Sequence, residues 1–492
     1  MLACSVALSA CFESSKSPID TITTIIGAPL STLNPLFATD ANSQHLSELN
    51  HATLTHTGKN IMPEPYLAKR FKYLNDLTLE VELKQGCLFH NGREVSADDV
   101  EYSWLTYIDE KNKSPFAEHF KKISKFEKIN RYLFRLHLKS VSPALIIDLN
   151  FMKIFPKENP SLGAGPYKIV KQSGEEILFE RSPTPCLPQP KMAKIKVKVV
   201  RDDLSRYLKL QRGEIDFILN ELNFRKIEAI EKDPSSPLKV SASDGTDYSY
   251  MALNFRDAKL KDWRVRKALA LSFDIPAVIQ YKLRGMAVAA KTILANQNWY
   301  ANTSLRFVDR NLTEAKRLLN EAGSFNGEHH RPPLALVLTT TTHTAGLADA
   351  RVLIAQAKEV GIQIQHRVYD WGTFYADVKA KNTQLYLLRW VAVTDPQIYF
   401  ENFYSGEIPR GNRTSYQNPA VDKLLQAGES TMNPQKRKAI YLKVQKILAN
   451  DFAYISLWHS KNTAAYGKNI HNVQLYPHGS WETFFYLEKT AQ

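Results

Sequence analysis

Apolar and polar residues alternate from Leu77 to Leu83 (Leu-Thr-Leu-Glu-Val-Glu-Leu), which predicts a half-buried strand. Tyr132 to Leu138 and Ile195 to Val199 alternate in the same way. In the second of these, Lys194, Lys196 and Lys198 mark the solvated face. Asn91-Gly92 soon after the first strand reads as a turn. Helical spacing dominates the second half. Asp262 is placed to cap a segment in which Val265, Ala268, Leu269 and Phe273 share a face. Asp274 caps the next, with Pro276 tolerated in its first turn. Ala315, Leu318, Leu319 and Ala322 form one stripe, ended by Gly323. Pro434 opens an amphipathic helix carrying Ile440, Val444, Ile447 and Leu448, followed by a strand from Tyr454 to Trp458. Strands and helices interleave without a repeat, so the class is mixed α/β.

At 492 residues, the chain exceeds what one hydrophobic core usually serves, and two or more lobes are expected. The only proline-dense stretch, from Pro183 to Pro190, is too short to act as a flexible linker. Lobes without a linker must be joined by ordered strands. That anticipates a hinged molecule. No apolar run reaches the roughly eighteen residues of a spanning helix. The net charge of +14 suits an anionic ligand, a nucleic acid or an anionic membrane surface. The basic residues are scattered rather than clustered, which argues against nucleic acid.

Catalytic and metal-binding patterns are missing. No GxSxG, HExxH, GxxxxGK[ST] or Gly-rich dinucleotide fingerprint occurs. His51 and His56 are five apart, which does not align them on one helical face, and His329-His330 reads as a surface loop. Asp98-Asp99, after Ser96, reads as first-turn acids complementing a helix dipole. No cofactor is implied.

Four cysteines remain. Met1 to Ala10 is short and apolar, and Leu8-Ser9-Ala10-Cys11 resembles the bacterial lipobox, in which the cysteine receives a diacylglycerol. Residues 1–19 are therefore expected to be an export signal and tether, with Cys11 the lipid attachment site. Such a signal normally opens with Lys or Arg, and a start upstream of Met1 would supply one. An oxidising compartment allows a Cys87–Cys186 disulfide, but the simpler reading is two free buried thiols.

Ordered segments then resemble a known family. Ser31-Thr-Leu-Asn-Pro35, Phe89-His-Asn-Gly92 with Ser96-Ala-Asp-Asp-Val100, Gly163-Ala-Gly-Pro-Tyr167 and Gln211-Arg-Gly-Glu-Ile-Asp216 occur in the order seen in family 5 extracellular solute-binding proteins of ABC importers. Trp263-Arg-Val-Arg-Lys-Ala-Leu269, Leu318 to Gly323 and Asn418-Pro-Ala-Val-Asp-Lys-Leu-Leu425 continue the register. The resemblance implies a two-lobed periplasmic-binding-protein (type II, Venus-flytrap) fold with an extra subdomain in the first lobe. It maps lobe I to residues 20–45, 165–250 and 470–492, the subdomain to 46–164 and lobe II to 251–469. Crossing strands are expected near Tyr248 to Phe255 and Ile455 to Ser460.

The implied function is that of a monomeric, lipid-anchored receptor in the periplasm or cell envelope. It would close on a small solute and deliver it to an ABC permease in the inner membrane. An oligopeptide is the leading cargo. A metal chelate or acidic opine-like solute is the alternative, and a lipoprotein enzyme or signalling subunit on the same scaffold is a third reading. Peptide receptors of the family pair the peptide amine with an acid in a Trp-x-x-Asp-Tyr stretch. Trp390-Val-Ala-Val-Thr-Asp-Pro396 is shorter and lacks that acid, and Asp395 fits a structural turn. Candidate ligand-binding residues are Trp390, Phe116, Asn34, Arg389 and Trp371. Strand alternation puts Arg389 and Trp390 on opposite faces, with Trp390 favoured for the cleft and Arg389 for an ion pair.

Overall fold

Two long strands, Leu238–Leu253 and Tyr454–Gly467, run antiparallel from the pair Leu238↔Gly467 to the pair Ala252↔Tyr454. They appear in a computed structural model that describes residues 18–323, 333–408 and 410–491. Both are longer than their local alternation predicts, because only their ends carry a clean period. The pairing slips between Asp244 and Tyr248, and again between Ser249 and Tyr250. Gly245 lies in the first slip, where a Cβ would sit 2.3 Å from the Ser460 carbonyl oxygen. Only glycine allows the strands to come so close there.

This strand pair carries one seven-stranded sheet, and the names lobe I, subdomain and lobe II follow the mapping that the resemblance implies. On the lobe I side, Phe217–Leu219 pairs with Ala464 to Tyr466. On the lobe II side, Leu385–Trp390 pairs with Tyr248 to Leu253, and the parallel strands Leu334–Thr341 and Ile362–Tyr369 extend it. Period-two alternation sorts the side chains of the long strand. Met251 and Leu253 enter a core with helices Trp263–Ser272, Leu312–Glu321 and Thr344–Lys358. Tyr248, Tyr250 and Ala252 enter the opposite core, with helices Trp371–Ala380, Gln397–Phe403, Pro419–Glu429 and Pro434–Asn450.

Lobe I also has a four-stranded sheet. Thr21–Ile26 runs parallel to Lys194–Val199, followed by antiparallel Glu176–Arg181 and Tyr167–Gln172. Ile195 and Val197 are buried, while Lys194 and Lys196 approach Glu180 at 3.5 Å and Glu176 at 3.9 Å. The subdomain sheet orders Ala68–Asn75, Thr78–Leu83, Leu133–Leu138 and Ile123–Lys128 beside helix Ala97–Ile108. Asp99 acts at that helix start, accepting from the Ser96 amide at 2.9 Å and from Arg93 at 2.6 Å.

The expected helix starts are present. Asp262 accepts from the Arg264 amide, Asp274 from Ala277 and Asn433 from Lys436, at 2.9, 3.0 and 2.9 Å. Gly323 has φ +68°, the left-handed conformation of a helix stop. One expectation fails: Cys87 and Cys186 are not free thiols but a disulfide, with Cα atoms 5.0 Å apart. The turn after strand Thr78–Leu83 and the proline-rich turn converge across 99 residues of sequence, which no local pattern reveals. Cys11 and His329-His330 lie outside the described residues. Among the described residues, no helix is long and apolar enough to cross a membrane, and no His/Cys/Asp/Glu group is placed to hold a metal ion.

Candidate functional site

The strand Leu385–Trp390 ends where the two long strands slip register, and it carries the first candidates. Trp390 stacks on Tyr250, centroids 6.3 Å apart, and Tyr250 in turn stacks on Tyr454 at 4.3 Å. Tyr248 continues this inner row at 5.4 Å from Tyr250. The outer end is built by helix Trp371–Ala380. Trp371 is 57% exposed and stacks on Tyr375 at 5.2 Å, because residues four apart share a helix face.

Between Trp390 and Tyr375 lies Arg413. Its guanidinium is 5.2 Å from the Trp390 ring and 5.0 Å from the Tyr375 ring, and it donates to the Tyr375 hydroxyl at 2.9 Å. Such a sandwich holds a cation by the negative faces of both rings. Among the described residues, no carboxylate stands within 4.0 Å of Arg413, and its Nε is buried without a hydrogen-bond partner. Burial pushes the Tyr454 phenol up to about 12, with Arg413 pulling against it.

Arg389 leaves the strand on the other side. It is 55% exposed and lies 3.7 Å from Asp247. Asp247 also accepts from the Ala392 amide at 3.0 Å, holding a non-glycine residue at φ +53°. The field of Arg389 reaches three further groups. Burial and then Arg389 lower the His343 imidazole. Burial raises the Asp349 carboxyl, opposed by Lys282 and Arg389. Glu221, on the lobe I side, is raised by burial although Arg206 stands 3.0 Å away, and it too feels Arg389.

The remaining candidates lie elsewhere. Phe116 is 9% exposed in the subdomain core, with Tyr107 at 6.4 Å and Phe151 stacked at 6.1 Å. The Asn34 carboxamide accepts from the Leu36 amide at 3.0 Å, closing its own turn. Asp395, beside the Trp390 turn, is engaged bidentately by Arg437 at 2.9 and 3.0 Å. The structure therefore brings Trp390, Arg389 and Trp371 into one region, with Phe116 and Asn34 apart from that aromatic row. Sequence reasoning missed Arg413, Tyr375, Tyr250 and Glu221. Arg413 stands in an aperiodic Gly-Asn-Arg-Thr segment, and Tyr250 carries only the signal of a core strand.

Residues 62–409 match the model for bacterial extracellular solute-binding proteins, family 5. The chain is 24% identical to the oligopeptide-binding protein AppA of Bacillus subtilis, over 93% of this chain and 89% of that one. Among solved structures it resembles NikA from Brucella suis in complex with Fe(III)-EDTA, with TM-score 0.88 and 22% identity over 96% of this chain and 100% of that one. It also resembles DppA from Helicobacter pylori in complex with the peptide STSA, with TM-score 0.80 and 22% identity over 95% and 98% of the two chains. Two lobes joined by paired strands agree with these matches, and the chain belongs to the family 5 extracellular solute-binding proteins, the non-enzymatic binding components of ABC importers.

Proposed function

We propose that this protein captures a small carboxylate-bearing solute, with a short peptide the leading member of that class, and presents it to its permease. One observation carries the reading: Arg413 is held between Trp390 and Tyr375 with no carboxylate partner among the described residues. A guanidinium aimed by two rings and lacking a counter-ion is preorganised for an incoming carboxylate. Arg389, on the strand that also carries Trp390, adds positive field. The proposal extends to the assembly. Residues 20–45, 165–250 and 470–492 form lobe I, 46–164 its subdomain and 251–469 lobe II. The mature protein acts as a monomer in the periplasm or cell envelope, anchored through Cys11.

A thermal-shift series on protein refolded free of ligand tests this. A tripeptide with a free C-terminus, its C-terminal amide, a non-peptide tricarboxylate and a nickel–histidine chelate are each offered. A ligand at one hundred times its Kd stabilises by about 2.7 kcal/mol. The free peptide is expected to raise the melting temperature and its amide to lose most of that shift, with Arg413→Gln abolishing the difference. A shift by the tricarboxylate alone moves the cargo to acidic non-peptide solutes. Equal shifts by peptide and amide, or a shift by the chelate alone, refute the carboxylate reading.

A further inference from the structure

The two long strands are not the only contact between lobe I and lobe II as mapped above. On the lobe II side, Val278–Lys282 forms a widened helical turn, in which the Leu283 amide donates to the Val278 carbonyl at 3.0 Å and the Gly285 amide to the Ile279 carbonyl at 2.9 Å. Lys282 pairs with Asp349 of helix Thr344–Lys358, which ties the turn to lobe II. The chain then reverses through two left-handed residues in a row, Arg284 at φ +56° and Gly285 at φ +74°. Arginine keeps that conformation only where its surroundings hold it there. The reversal sends the next side chain out of lobe II. Met286 is 7% exposed and joins the lobe I core that contains Ile25, Ile218, Leu222 and Ile227, whereas Ala287 belongs to a lobe II core again.

Three further contacts hold the same reach in place. Arg284 Nε lies 3.3 Å from a carboxylate oxygen of Glu228, on the lobe I helix Phe224–Lys232. Phe224, the first residue of that helix, packs against both the core that holds Met286 and the lobe II core that holds Val278 and Leu283. The Met286 carbonyl accepts from the Lys461 amide at 3.0 Å, and Ala287–Ala289 goes on to pair with Trp458 to Ser460. Lys461 pairs with Asp244 of the other long strand, so Met286 is bonded to the opposite edge of the crossing strand, level with the first register slip.

The position of this attachment decides what it does. A crossing made of two strands can both bend and twist, because each residue keeps two soft dihedrals and the slipped pairs add no ladder of their own. A third attachment beside them widens the base across the sheet. Twisting about the strand direction then has to pull Met286 from its core and Arg284 from Glu228, while bending across the base disturbs neither. We propose that Met286, aimed by the Arg284–Gly285 reversal and tied through Glu228, is the socketed third member of the hinge, a pivot that confines the lobes to one bending motion. The pivot concerns how the lobes move, not what they bind, and uses only the lobe mapping of the proposed function.

Pulsed electron–electron spin resonance on the full chain without added solute tests this, whatever the cargo. Nitroxides go on Lys171→Cys in lobe I and Lys316→Cys in lobe II, both exposed, with Cys4→Ser and Cys11→Ser and the Cys87–Cys186 bond intact. In this parent, Met286→Ser is expected to widen the interlobe distance distribution. Arg284→Gln, which leaves the methionine in place, should widen it less, and Met286→Leu, which refills the socket, should return the parent width. Hydrogen exchange on the same variants shows whether the socket has opened. Protection of the Lys461 and Ala290 amides should fall by about tenfold or more in Met286→Ser, with that of Leu336 unchanged. An opened socket with a distribution as narrow as the parent's overturns the pivot, and so does a Met286→Ser variant with unchanged exchange. Where Met286→Ser does not fold, Arg284→Gln decides, and the parent width in that variant overturns the pivot.

Discussion

Replacing Arg437 with methionine removes the cation that closes the turn after Trp390. The side chain is 2% exposed, so water cannot take its place. It gives two hydrogen bonds to Asp395, at 3.0 and 2.9 Å, and a third to the Gly428 carbonyl at 3.3 Å. The rings of Tyr300 and Tyr441 each lie 5.2 Å from its guanidinium. After substitution, Asp395 keeps the Gln397 amide at 2.8 Å but no cation. Breaking a buried pair from one side costs about 3–5 kcal/mol, because the remaining charge is stranded. For a lobe of some two hundred residues, each kcal/mol moves the midpoint by about 2–4 °C, so calorimetry should show the lobe II transition falling by roughly 8–15 °C. Arg437→Met with Asp395→Leu removes the stranded charge and should recover about half of the loss. A fall of less than about 3 °C, or a double variant no better than the single one, would refute the assignment of Arg437 as the anchor of this turn.

Three other outcomes follow from the same structure. Replacing Cys87 and Cys186 together by alanine should lower stability by about 4–5 kcal/mol, the loop-closure value for a separation of 99 residues, and urea unfolding with and without reductant should give the same difference. Urea midpoints that ignore reductant would show that the bond is not formed. Burial pushes the Glu48 carboxyl up, but His45, Lys153 and Ser480 outweigh it and hold it at about 2, against 4.5 when unfolded. Its contribution of about 3 kcal/mol is therefore present above pH 4.5 and lost as pH falls toward 2, and the acid limb of a stability–pH curve should flatten in Glu48→Gln. Gly245→Val forces a branched side chain against the Ser460 carbonyl oxygen, which a Cβ would approach to 2.3 Å. A loss of about 1–3 kcal/mol in urea is expected, and an unchanged midpoint would place no steric demand on the slip.

Much of the local structure was legible because its causes are local. Asp262 and Asp274 cap helices by reaching amides two or three residues on, and period-two alternation put Ile195 and Val197 in the core with the lysines outside. Trp390 drew notice because a motif framed it. Arg413 did not, since its meaning comes from Tyr375 and Trp390, 38 and 23 positions away in an order that no period encodes. The Cys87–Cys186 pairing could be named from the sequence but not decided, for the same reason.

Asp247 connects the hinge to the candidate cleft. It lies inside the first register slip, between Asp244 and Tyr248, where the pairing of the long strands shifts. One carboxylate oxygen accepts from the Ala392 amide at 3.0 Å, and the other lies 3.7 Å from Arg389. Ala392 is held at φ +53°, a conformation that costs a non-glycine residue of order 1 kcal/mol and persists only where neighbours enforce it. The slip and the turn after Trp390 are therefore one mechanical unit. On the reading proposed above the lobes rotate about this slip, which carries Asp247 with the amide it holds and the arginine it faces. A solute that engages Trp390 or Arg389 would then bias the position of Asp247, and thereby the hinge, through contacts already made in the sheet. Differential binding to the closed form needs such a link, because a ligand shifts an equilibrium only by what it gains in one state over the other.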